Sequence, residues 1–102
     1  MYPGWARLSD AERLILLSMA YVMVQRGKEH RGCACEKDVR ETSGIEDVRF
    51  RRVISKLRGH LLIHTEGSDH EPDKRILSFT GAATAVRLNV ELIAKVQITR
   101  CP

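Results

Sequence analysis

A chain of 102 residues that is 43% hydrophobic, 29% charged and 5% aromatic has the make-up of a single ordinary globular domain, and this excludes disordered, collagen-like and disulfide-scaffold classes. Its longest apolar run, Leu14 to Val24, is broken by Ser18 and flanked by Arg13 and Arg26, so it is too short for a bilayer and too embedded in charge for a signal peptide. A net charge of +4 and a pI near 9.3 permit a nucleic-acid partner, but only clustering of that charge would argue for one.

Met1 to Arg7 reads as a short arm. Ser9-Asp-Ala-Glu12 has the form of a capping box, with Ser9 as N-cap and Glu12 reaching back to it. A first helix is expected over about residues 9–26, stopping at Gly27. It is apolar enough to be the central core helix, or to turn one side toward a second subunit. Gly27 to Gly32 is a polar loop, and Cys33-Ala-Cys35 follows it. A second helix is expected over about 36–42, broken at Ser43-Gly44, where Gly44 can supply a left-handed backbone at no Cβ cost.

The longest helix of this region is expected over about 47–58. Phe50, Val53, Ile54 and Leu57 sit at the i, i+3, i+4, i+7 spacing of one helix face, and Val39 and Ile45 join them inward. Between them stand Arg49, Arg51, Arg52, Lys56 and Arg58, opposed by Glu46 and Asp47 at the helix start, where negative charge suits the dipole. Residues 46–58 therefore carry +3 of the net +4. Leu61 to His64 and Lys74 to Phe79 are strand candidates around the polar turn Gly67 to Asp73, so a hairpin spans about 61–79. Thr80 can cap a last helix over about 82–97, with Ala83, Val86, Val90, Ile93, Ala94 and Val96 at helical spacing and Leu88 and Leu92 widening the stripe. Residues 98–102 read as a tail.

Two helices joined by a short glycine-containing turn, then a hairpin, give a mostly helical α+β chain. The element order resembles the winged helix-turn-helix family over about residues 8–97, and is most similar to small regulators of the MarR, ArsR and PadR kind. The resemblance implies a short strand at residues 33–35 pairing with the wing, and a recognition helix over 47–58 lying in the major groove of double-stranded DNA. By family position Val48, Arg49, Arg51 and Arg52 match base-reading sites, and Ser55 and Lys56 match backbone contacts. Lys74 and Arg75 would lie near the wing tip, against phosphates or the minor groove. Glu66, Asp69, Glu71 and Asp73 make that loop acidic, a departure from the basic wings common in the family. The resemblance also implies a homodimer, formed through helix 1, the last helix or both. A transcription regulator acting in the cytoplasm is the expectation. The other reading is a winged-helix protein-interaction module, whose basic helix is a solvated face or binds an acidic partner.

Cys33 and Cys35 admit several readings. Regulators of the ArsR kind carry a Cys-x-Cys near this place, though two residues further downstream. Two thiolates with His30, and Cys101 or His64, make a tetrahedral donor set for a soft metal, and Arg31 and Lys37 would favour thiolate and hence redox sensing. The plainer reading is two small, half-buried residues in a strand, and no metal or other cofactor is assigned. An odd total of three cysteines does not suggest a disulfide framework. The four histidines show no HExxH or paired spacing, and there is no phosphate loop, nucleophile elbow or carboxylate pair in an apolar setting. No catalytic residue is expected, and no enzyme.

Overall fold

The computed structural model describes residues 5–26, 33–68, 70–83, 86–88, 90 and 92–93. After a 3-10 turn at Trp5–Arg7, helix α1 runs Asp10–Arg26, strand β1 Cys33–Cys35, helix α2 Glu36–Ser43 and helix α3 Asp47–Gly59. Strands β2 (Ile63–Glu66) and β3 (Ile76–Phe79) follow, separated by a 3-10 turn at Pro72–Lys74. A further turn at Gly81–Ala83 leads to a helical stretch, seen at residues 86–88, 90 and 92–93. The polar loop after Arg26 with His30, the arm at residues 1–4, Asp69 and the tail with Cys101 lie outside the described residues.

The capping box at the start of α1 is reciprocal. Ser9 Oγ accepts from the Glu12 N–H at 3.1 Å, and Glu12 Oε1 accepts from the Ser9 N–H at 3.0 Å. Apolar residues occupy most of the circumference of α1, and Ile15, Leu16, Met19 and Ala20 are wholly buried. Around that axis pack Val39 of α2, Phe50, Ile54 and Leu57 of α3, Leu77 of β3, and Val86 and Val90. The buried Ser18 hydroxyl is satisfied locally by the Leu14 carbonyl at 2.8 Å.

The sheet is antiparallel with strand order β1-β3-β2. Cys33, Ala34 and Cys35 pair with Ser78, Leu77 and Ile76, while Ile63 and Glu66 pair with Phe79 and Ile76. Alternation along β1 buries Ala34 and leaves Cys33 exposed. The architecture is a mostly helical α+β winged helix-turn-helix.

Strand positions depart from expectation, and the reason is the end of α3. The Leu62 N–H donates to Leu57 O at 3.1 Å and the Leu61 N–H to Arg58 O at 3.0 Å, the paired bonds of a Schellman motif. Leu61 takes the left-handed position at φ 60°, where glycine is usual. Leu62 and Leu57 are both buried beneath it. The motif uses up His60 to Leu62, so β2 begins at Ile63, not Leu61. Gly59 is the last residue of α3, one beyond the expected end at 58. At the wing, Pro72–Lys74 form a turn, so β3 begins at Ile76, not Lys74. Thr80 does not cap a helix with its side chain: its hydroxyl donates to the Leu61 carbonyl, and the turn Gly81–Ala83 stands where a helix from residue 82 was expected.

Candidate nucleic-acid interface

The turn between α2 and α3 is built from three residues. Gly44 closes α2 in the left-handed region at φ 70°, its N–H donating to Arg40 O at 3.1 Å. Ser43 Oγ donates to that same carbonyl at 2.9 Å and accepts from the Ile45 N–H at 3.2 Å. Glu46 then caps α3, its Oε1 accepting from the N–H groups of Val48 at 3.0 Å and Arg49 at 3.4 Å. A carboxylate there satisfies free N–H groups and complements the helix dipole together.

Helix α3 is divided sharply into an inner and an outer face. Phe50, Val53, Ile54 and Leu57 are buried, and Val48, Arg49, Arg51, Arg52, Ser55, Lys56 and Arg58 are exposed. Among the described residues none of its five cations forms a salt bridge. Val48 is unusual for an apolar side chain at 63% exposed. An open groove of about 440 Å³ runs between α3 and the start of α1, lined by Val48, Arg49, Arg52 and Lys56 on one side and Ser9 and Ala11 on the other.

The wing cations are placed quite differently. Lys74 is exposed, with its Nζ 3.5 Å from Glu71 Oε1. Arg75 is turned into the protein, where Nη2 lies 2.7 Å from Glu36 Oε1 and Nε donates to Glu36 Oε2 at 3.2 Å. With Arg75 only 12% exposed and Glu36 1%, this is a buried bidentate pair, and Arg75 is not presented to a ligand. Sequence reading put Arg75 at the wing tip because it saw one cation beside another. The partner that withdraws it is 39 residues away.

Arg40 was missed by the sequence reading altogether. It lies on α2 with Nε 3.1 Å from Asp47 Oδ1 at the start of α3 and Nη2 2.9 Å from Asp73 Oδ1 in the loop between β2 and β3. The hydrogen bond that it donates to Asp73 raises its pKa above the ordinary guanidinium value, with desolvation opposing and the charges of Asp47, Asp73 and Glu36 adding. Cys35 Sγ donates to the Asp73 carbonyl at 3.2 Å, and the Glu36 N–H donates to Arg75 O at 2.8 Å. One face of α2 thus holds both the start of α3 and the loop between β2 and β3.

Cys33 and Cys35 are free thiols, the first exposed and the second half-buried. No three His, Cys, Asp or Glu side chains among the described residues come together to hold a metal ion. His64 stands instead 3.9 Å from Glu66. No described helix is long and apolar enough to cross a membrane.

No protein-family model and no curated protein matches this chain. Solved structures do match. One is Bordetella bronchiseptica BpsR, described for the regulation of its DNA binding by 6-hydroxynicotinic acid, with TM-score 0.59 and 18% identity over 94% of this chain and 65% of that one. A second is Staphylococcus aureus MarR in complex with salicylate and kanamycin, with TM-score 0.58 and 17% identity over 93% of this chain and 55% of that one. A third is a probable transcriptional regulator from Pseudomonas aeruginosa, with TM-score 0.54 and 17% identity over 91% of this chain and 62% of that one. The chain spans less than two thirds of the length of each. The shared property is the fold, a winged helix of the MarR kind.

Proposed function

We propose that the chain is a DNA-binding transcriptional regulator, not an enzyme, and that it acts on double-stranded DNA in the cytoplasm as a homodimer. The carrying observation is the outer face of α3, which offers five cations with no carboxylate partner among the described residues, on a fold shared with regulators. Arginine can donate two hydrogen bonds to a guanine edge, and lysine or arginine on phosphate releases counterions. Val48, Arg49, Arg51, Arg52, Ser55, Lys56 and Lys74 form the proposed contact set. Arg75 leaves it, because its guanidinium is committed to Glu36.

Dimerisation is supported by exposed apolar side chains. Leu14 of α1 and Leu88 and Leu92 of the last helical stretch are 41%, 56% and 63% exposed, a cost that a second copy would remove. A two-fold pair places two recognition helices in successive major grooves of a near-palindromic site. Occlusion of a promoter is then the regulatory act.

Fluorescence-anisotropy titration against duplex DNA over a salt series tests this reading. Random duplex and the promoter of the chain's own gene are compared, with native protein and Arg51→Ala/Arg52→Ala. Steep salt dependence, preference for the promoter and loss in the double variant are expected. Weak binding without sequence preference, unchanged by the substitutions, would leave the chain a protein-interaction module.

A further inference from the structure

We infer that α3 divides its outer face into a base-reading ridge of Val48, Arg52 and Ser55 and two phosphate-gripping flanks, Arg49 with Lys56 and Arg51 with Arg58, and that Val48 is a specificity residue reading a thymine methyl group. The inference rests on the DNA-binding reading above and assigns a role to each residue within it.

The geometry follows from where the buried side chains point. Phe50, Val53, Ile54 and Leu57 anchor the helix to the core. Successive residues turn by about 100°. Relative to Val48, Arg52 is then rotated by about 40° one way and Ser55 by about 20° the other, directly opposite the buried set. Gly59, about 20° from Val48, ends the ridge without a side chain, and the space a Cβ would take there is open. The four remaining cations fall about 60–100° to either side of Val48, two on each flank.

A helix with its side chains is about as wide as the major groove, so its outermost line meets the base edges and its sides meet the two phosphate rails. The ridge offers three different chemistries to those edges. Arg52 matches guanine O6 and N7, Ser55 accepts or donates, and Val48 has only methyl groups, which match the thymine C5-methyl. Val48 is also the one strongly exposed apolar residue on a helix whose other large apolar side chains are all buried. Solvent gains nothing from that placement, whereas a methyl group docked on it would be dehydrated. The flanks add Arg58, which the sequence reading left out of the contact set, and move Arg49 and Arg51 from base reading to phosphate binding.

The test begins by selecting a site from a randomised duplex pool with the native protein. On the selected duplex, replacing the thymine under each recognition helix by deoxyuridine removes only a methyl group. A loss of about fourfold per thymine replaced is expected for the native protein, and a clearly smaller loss for Val48→Ala, which keeps a single methyl group. Arg52→Ala is expected to relax base preference at one position by about fivefold or more. Single Ala variants at Arg49, Arg51, Lys56 and Arg58 are expected to weaken all sequences alike and to lower the log–log salt slope by about 0.9 per contact, hence about 1.8 for the dimer. All six side chains are exposed, and circular dichroism checks that each variant is folded. A selected site that is indifferent to deoxyuridine, with base preference lost in Arg51→Ala and kept in Arg52→Ala, overturns the ridge assignment while leaving sequence-specific binding intact. A pool that enriches no sequence overturns the proposed function itself, and the ridge with it.

Discussion

Replacing Arg75 by methionine leaves Glu36 as a carboxylate that is 1% exposed with its two charged hydrogen bonds, at 2.7 and 3.2 Å, removed. Methionine retains much of the aliphatic stem, so lost packing is a minor part of the change. Breaking one side of a buried pair typically costs about 3–5 kcal/mol, because the remaining charge cannot regain its hydration. A domain of this size has about 5–15 kcal/mol in all, so Arg75→Met is expected to lower Tm by more than about 10 °C. Far-UV circular dichroism measures the free-energy loss in a urea titration and Tm in a thermal melt. The double variant Glu36→Leu/Arg75→Met removes both charges together and is expected to recover most of the loss, as buried pairs replaced by apolar residues commonly do. At a temperature where the single variant is folded, its salt slope on duplex DNA should equal that of the native protein, since no phosphate contact is lost. A loss below about 1 kcal/mol, the range of exposed ion pairs, or a double variant no more stable than the single, would refute the reasoning.

Other perturbations follow from the backbone. Leu61→Gly relieves a left-handed leucine that is 68% exposed. It should raise stability by about 1 kcal/mol, less the chain entropy that glycine adds to the unfolded state, and a fall in the urea midpoint would refute it. Gly59→Ala fills open space within α3 and should add up to about 1 kcal/mol, read from the same curves. Gly67→Ala should do the reverse by about 2 kcal/mol, because φ is +121° and a Cβ would lie 3.1 Å from the Arg75 backbone. Ser9→Ala removes the acceptor for the Glu12 N–H and should cost about 1 kcal/mol. In Ser9→Ala the amide exchange of the first turn of α1 should speed up.

The parts of this protein legible in its sequence are those carried by local spacing. The Ser9 to Glu12 box closes within four residues. The inner face of α3 follows from the positions of Phe50, Val53, Ile54 and Leu57 alone, and the outward cations follow by exclusion. Gly44 turns where a left-handed residue was needed. Element order then suffices for the winged helix, because each face so defined has one place left to pack. Tertiary structure decided what depended on distant partners. Arg75 reads as one more wing cation until Glu36 is seen to hold it, and Arg40 has no local feature to distinguish it from other surface arginines before α2 brings it between Asp47 and Asp73. The end of α3 belongs to the same class. The helix ends at Gly59, and burying Leu62 with Leu57 in the cap that follows places Leu61 in a conformation its own side chain disfavours. Local preference is worth about 1 kcal/mol, and burying a leucine about 1.5–3 kcal/mol, so the core wins and the strand after it begins late.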